Sequence, residues 1–243
     1  MNKFLSLLEL KSWEVRFLNI KIKYIVFDLN GTLIDAMPIY TRVFCDVLKR
    51  YTEIEDPDIP DIVRYSVAAT GTPWDEQFAY VLDLHKHPKE KVPKLMEEFC
   101  NIVNEERYLL FPKVEELLHT FKEKGYRVLI TSGSSTGAMI KRIYDLGILN
   151  NIDFLLGFDT YKKSRKHMEM LAENENMSLE EFAKQSIYLG DGPGDMQIAK
   201  DAGLYAIGVA QTVNPELLKD AGADLVLDKI GDALEIDWEK VEI

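Results

Sequence analysis

Cysteine is nearly absent: Cys45 and Cys100 are the two in 243 residues. They share no metal-ligand spacing and both fall in helical-looking sequence. That excludes a disulfide framework and points to free thiols in a reducing compartment. Positive charge is also scarce, with 29 Lys and Arg against 41 Asp and Glu and a net charge of -12. A nucleic-acid binder would carry a basic stripe, and an anionic membrane surface would repel such a chain. Long apolar runs are missing too: nothing reaches the ~18 residues of a membrane helix. The opening M-N-K-F-L-S-L-L-E-L-K starts like a signal peptide, yet Glu9 and Lys11 cut its apolar run and no small-residue cleavage site follows. A cytoplasmic protein is expected, with residues 1–20 as an N-terminal extension. There are no internal repeats and no low-complexity tract.

A hydrophobic content of 47% with 10% aromatics fits a globular chain with a sizeable core, as one large domain or two modest ones. The organising stretch is Tyr24 to Asp35, Y-I-V-F-D-L-N-G-T-L-I-D. Its first four residues are apolar, β-branched or aromatic, the pattern of a strand buried on both faces. Asp28 closes that strand, where open α/β sheets place their chemistry. Gly31 permits a tight reversal directly after it.

From about Pro38 to Leu109 the rhythm is helical, with Val43, Val47 and Leu48, then Phe78, Val81 and Leu82, then Leu95, Met96, Phe99 and Val103 at helical spacing. Five prolines punctuate the segments. From Phe111 strands alternate with helices: strands at 127–131, 154–157, 187–190, 205–209 and 225–227, with helices between them. Such alternation implies a parallel sheet with right-handed crossovers. The expected fold is α/β, a Rossmann-like sheet domain (1–35 and 110–243) with a helical cap (36–109) inserted after the first strand.

Four strand ends carry the residue types of phosphoryl chemistry. Asp28 offers a carboxylate. Ser132 and Gly133 open a Ser/Gly turn before a helix, a source of hydroxyl and backbone N–H donors for an anion. Lys162, Lys163 and Lys166 offer ammonium groups. Asp191 and Asp195 sit on the Gly/Pro turn Gly190-Asp191-Gly192-Pro193-Gly194-Asp195, where two carboxylates repel one another without a cation. Mg²⁺ takes a few hard oxygen ligands of this kind. Taken singly, the Ser132 turn also reads as a helix cap and the lysines as a solvated face. The turn Thr70-Gly71-Thr72-Pro73 reads either as a helix connection or as a loop facing substrate.

Together these residues resemble the haloacid dehalogenase superfamily of phosphohydrolases. The resemblance is carried by Asp28-Leu29-Asn30-Gly31-Thr32, Ser132, a lysine, and Gly190 to Asp195, and it spans about 23–234. It is nearest the subgroup with a helical cap, such as phosphoglycolate phosphatase and β-phosphoglucomutase. It implies that Asp28 is a nucleophile forming an aspartyl-phosphate, and that Mg²⁺ is held by Asp28, the Asn30 backbone carbonyl and Asp191, with Asp195 bound directly or through water. Ser132 and Gly133 would hold phosphate oxygens, with Gly31, Thr32, Thr70 and Gly71 near the substrate. Counting back from Met168 and Ala172 favours Lys162 as the motif lysine, with Lys163 and Lys166 open. The implied partner is a small phosphorylated metabolite; oligomeric state is not legible.

Asn30 departs from the pattern. Most phosphatases of this type carry a second Asp there, as acid for the leaving group and base for the water, and such assistance is typically worth ~10²–10⁴-fold. The expectation is a slow phosphatase, or one biased to good leaving groups such as acyl or aryl phosphates. The alternative is a catalytically weakened protein that binds a phosphorylated ligand or regulates. On the enzyme reading, Asn30→Asp should speed hydrolysis of an aryl phosphate.

Overall fold

The computed structural model describes residues 21–241, so the expectation for residues 1–20 lies outside the described residues. Six strands, β1 (Tyr24–Asp28), β2 (Arg127–Thr131), β3 (Phe154–Leu156), β4 (Ser186–Gly190), β5 (Tyr205–Val209) and β6 (Leu225–Leu227), form one sheet in the order β3-β2-β1-β4-β5-β6. Every pairing is parallel. The chain builds outward from β1 through β2 to β3, then returns to the other side of β1 with β4. The strand order therefore reverses at β1, and the crevice beyond its carboxyl end is where such sheets bind ligands.

β1 is buried along its whole length because both of its faces are covered. Ile25 and Phe27 pack into one layer with Phe121 of α5 (Val114–Glu123), the ring centroids of Phe27 and Phe121 lying 6.1 Å apart. Tyr24 and Val26 pack into the other, with Phe182, Met168 and Met196. The alternation of one strand's residues between two layers explains why an unbroken apolar run forms a strand here. In α5, Val114, Leu117, Leu118 and Phe121 share the buried face, the i, i+3, i+4, i+7 stripe of an amphipathic helix.

Four α-helices lie between β1 and α5: α1 (Met37–Tyr51), α2 (Ile59–Ala68), α3 (Trp74–Leu84) and α4 (Val92–Glu105). They form the cap, packed around Phe44, Phe78, Phe99 and Trp74, with centroid separations of 4.5 Å for Phe44–Phe78 and 4.9 Å for Trp74–Phe99. The two connections to the sheet domain run side by side. The Asp35 N–H donates to the Leu109 carbonyl at 2.9 Å, and the Phe111 N–H to the Leu33 carbonyl at 3.0 Å. The remaining helices are α6 (Thr136–Asp145), α7 (Arg165–Asn174), α8 (Leu179–Ala183), α9 (Pro193–Ala202) and α10 (Pro215–Asp220). α8 and α10 escape a reading by periodicity because they are five and six residues long. Each instead announces itself by a cap, Ser178 and Asn214 accepting backbone N–H groups of the first turn.

Lys113, just before α5, has a positive φ of 69°, a region where a Cβ is unfavourable. Lys113→Gly should therefore stabilise the protein by roughly 0.5–1 kcal/mol after the entropy cost of glycine is deducted. The result expected is a higher urea midpoint with an unchanged slope.

Candidate active site

The strand register sets the site. Asp28 on β1 lies level with Thr131 on β2, which places Ser132 beside Leu29 one residue further on. Leu189 on β4 pairs with Phe27, so Asp191 emerges next to the turn that follows Asp28. Asp195 returns to the same spot from the first turn of α9. Asp28, Asp191 and Asp195 are all buried, and each offers a carboxylate oxygen within 4.8 Å of the others.

Lys163 reaches in from the loop before α7. Its Nζ donates to Asp28 Oδ1 at 2.6 Å and to Asp195 Oδ1 at 2.5 Å. This corrects the choice of lysine: Lys162 lines the cavity, but its Nζ pairs with Glu76 of the cap at 2.5 Å. Lys166 is on the outer face of α7 with Glu169. Counting from the helix's apolar residues is off by one because Arg165 begins the helix and the loop before it is extended at Ser164.

One ammonium faces three carboxylates. Burial pushes Asp28 up to about 6, working with repulsion from Asp195 and against attraction to Lys163. Burial, Asp28 and Asp195 hold the Asp191 carboxyl well above its usual range. Burial works against the Lys163 ammonium, but Asp195 and Asp28 outweigh it and keep the group above its ordinary value. The cluster is short of positive charge, and its donors are hard oxygens, so a divalent cation fits these residues.

Two residues expected near the substrate serve Asp191 instead. The Thr32 hydroxyl is buried and donates to Asp191 Oδ1 at 3.2 Å, while Thr212 donates to Oδ2 at 2.5 Å. Gly31 has φ 95°, and a Cβ there would collide with the Asp191 carboxylate. Neither Gly31 nor Thr32 lines the cavity. Gln211 fixes the same turn by donating to the Gly31 and Thr32 carbonyls, each at 2.9 Å.

Ser132 and Gly133 do line it, as do Thr70 and Gly71 from the cap. The cap loop is seated against the acidic turn, since a Cβ on Gly192 would meet the Thr70 carbonyl oxygen at 2.7 Å and one on Gly194 the Gly71 oxygen at 2.9 Å. The cavity between them has a volume of about 570 Å³. Its lining includes the aromatic residues Tyr40, Trp74, Phe99 and Phe158. His167 is outside it. That ring is fully buried behind β2 and bridges the Thr131 hydroxyl at 2.5 Å and the Tyr161 carbonyl at 2.6 Å. Burial depresses its pKa, so the neutral ring accepts from Thr131 and donates to Tyr161, anchoring the loop that carries Lys163.

Asn30 is held on three sides. Its Nδ2 donates to Ser132 Oγ at 3.2 Å and Ser134 Oγ at 3.1 Å, and its Oδ1 accepts from Arg142 at 3.2 Å. Arg142 is a residue the sequence reading overlooks. The apolar face of α6 reads as Met139, Ile140, Ile143 and Leu146, yet Ile140 is exposed and Arg142 is buried in its stead. The signal was its position at i+3 from Met139, on the buried stripe.

The haloacid dehalogenase-like hydrolase family model matches residues 25–209. The chain belongs to that family. It is 25% identical to the phosphoglycolate phosphatase of Vibrio cholerae over 223 residues, 88% of this chain and 96% of that protein. It is 26% identical to the phosphoglycolate phosphatase of Haemophilus influenzae strain 86-028NP over 234 residues, 90% of this chain and all of that one. A haloacid dehalogenase-like hydrolase of Streptococcus pneumoniae shares the fold, with a TM-score of 0.72 at 20% identity over 88% of this chain and 97% of its own. The resemblance drawn from the motifs therefore stands, as does the α/β parallel-sheet core. Among the described residues, no helix is long and apolar enough to cross a membrane.

Proposed function

We propose that the protein is a cytoplasmic, Mg²⁺-dependent phosphatase of a small phosphorylated metabolite, acting through an aspartyl-phosphate on Asp28. The observation that carries this reading is the Asp28 carboxylate, poised by Lys163 at 2.6 Å on the floor of a cavity closed by the cap. Asp28 attacks phosphorus, and the bond to the leaving oxygen breaks. Lys163 orients the nucleophile and faces the transferring group. Ser132 and Gly133 receive its other oxygens. Mg²⁺, held by Asp28, the Asn30 carbonyl, Asp191 and Asp195, would supply charge neutralisation at the phosphoryl group. The cap, spanning 36–109 on a core whose described parts are 21–35 and 110–241, excludes water. Family membership and relatives named as phosphatases support this chemistry.

The test is turnover of phenyl phosphate and of an acyl phosphate with Mg²⁺ and with chelator. Metal-dependent release of phosphate supports the reading. An inert protein that still binds inorganic phosphate favours the second reading, a phosphate-ligand-binding or regulatory protein, for which Asn30 speaks.

The Arg142 contact limits what Asn30→Asp can gain. An aspartate at 30 would be an ion-pair partner of Arg142, which sits 3.2 Å from the Asn30 oxygen. Its gain on phenyl phosphate should fall well short of the ~10²–10⁴-fold of a free general acid. Adding Arg142→Met should raise it further, measured as kcat.

A further inference from the structure

Among the described residues, the Arg142 guanidinium is the least explained charge. It is 5% exposed and lines the cavity. Among the described residues no carboxylate lies within 4.0 Å of it, whereas the other buried cation, Lys163, has two. Its partners are neutral: Asn30 Oδ1 at 3.2 Å, the Tyr40 hydroxyl at 2.5 Å, Ser134 Oγ at 3.2 Å, the Val103 carbonyl at 3.4 Å and Asn104 Oδ1 at 3.2 Å. The Tyr108 ring covers it from 4.6 Å, and Nε has no partner. Taking a charge out of water costs several kcal/mol unless a counter-ion offsets it. Here a counter-ion is missing at the one place where a ligand can supply it. A guanidinium binds carboxylate and phosphate oxygens, here through the unpartnered Nε–H and by exchanging a neutral acceptor on Nη for the anion.

The second observation is where Arg142 stands. It touches Asn30, the residue that replaces the leaving group's proton donor. We propose that Arg142 receives the leaving group as an oxyanion, so that the substrate is a phosphoric anhydride, an acyl phosphate or a pyrophosphate, rather than an alkyl ester. This rests on the phosphatase reading and names its substrate class. Asp28 forms the new P–O bond, and the electron pair of the broken bond stays on the leaving carboxylate or phosphate, which Arg142 neutralises. No proton is needed at that oxygen, so an amide at position 30 suffices. Water then cleaves the aspartyl-phosphate, returning the Asp28 carboxylate and giving its proton to the released phosphate or to solvent. The aromatic lining residues Trp74, Phe99 and Phe158 suit the hydrocarbon part of an acyl group.

The experiment compares benzoyl phosphate, pyrophosphate and phenyl phosphate for the wild type, Arg142→Met and Arg142→Lys, with melting curves to check folding. A charge-assisted contact of this kind is worth about 1.5–3 kcal/mol, or roughly 10–100-fold. Arg142→Met should lose that factor in kcat/KM on the anhydride substrate and a smaller one on phenyl phosphate, whose phenolate offers a single oxygen, with Arg142→Lys recovering part of it. Loss on benzoyl phosphate alone identifies a carboxylate leaving group; loss on pyrophosphate identifies a phosphate. An equal loss on all three, or no loss, overturns the proposal. Calorimetry with benzoate and inorganic phosphate separates the two levels of the argument. If the wild type hydrolyses nothing but binds benzoate or phosphate only when Arg142 is present, the anion receptor stands and the phosphatase reading fails. If it neither hydrolyses nor binds them, both fail.

Discussion

Asp28→Asn should lower phosphate release by ~10⁴–10⁶-fold, the scale on which removal of a nucleophile acts. The neutral amide oxygen is far too weak a nucleophile to attack phosphorus, and the Ser132, Lys163 and cap contacts that remain can bind the phosphate without transferring it. The same substitution should make the metal-free protein more stable. Asp28 is buried and its pKa is pushed up to about 6 from 3.8, so at pH 7 the ionised side chain is held against its preference. That shift corresponds to on the order of 3 kcal/mol, and the neutral amide recovers part of it. The measurement is paired: rate with saturating substrate, and melting temperature with chelator at pH 7. A dead variant that melts higher is the expected outcome. A dead variant that melts far lower would mean that Asp28 holds the fold together through Lys163.

Asp191→Asn should remove the response to Mg²⁺ and flatten the pH dependence of metal-free stability. Asp28 and Asp191 both have folded pKa values above their unfolded ones, Asp28 at about 6. A group of this kind binds its proton more tightly in the folded state. Its favourable contribution is complete at pH values below the unfolded pKa near 4 and is lost as pH rises through the folded value. Wild-type protein in chelator should therefore gain stability from this cluster as pH falls from 7 towards 5. Mg²⁺ should raise the melting temperature more as pH rises, because fewer protons have to be displaced from Asp28 and Asp191. In Asp191→Asn one of the repelling charges is gone, so the metal-free protein should melt higher at pH 7 and respond little to Mg²⁺. An unchanged Mg²⁺ response would remove Asp191 from the proposed ligands.

The α/β order was legible because strands buried on both faces are short, apolar and separated by helices with one clean apolar stripe. All six strands follow from runs such as Tyr24–Phe27 and Arg127–Thr131. The acidic turn was legible because two carboxylates on a Gly/Pro loop have few structural uses. What escaped were residues whose role depends on the third dimension. Lys163 and Lys162 are adjacent and chemically equal, and only the direction of the loop before α7 decides that one meets Asp28 and the other Glu76. Thr212 and Gln211 follow β5 with no motif around them, yet they hold Asp191 and the Gly31 turn. Arg142 carried the one signal that could have been used, a charge inside an apolar stripe, and a count of hydrophobic residues passes over it. Cys45 and Cys100 are unpaired, the first buried and the second half-buried, in line with the reading of free thiols.

The most direct measurement of the central claim is the covalent intermediate itself. The protein is mixed with an acyl phosphate and Mg²⁺, quenched in acid within milliseconds to seconds, digested and analysed by mass spectrometry. The account predicts one phosphoryl group on the peptide containing Asp28, lost on treatment with hydroxylamine and absent from Asp28→Asn. Phosphate release without any such adduct, or with undiminished turnover in Asp28→Asn, would contradict it.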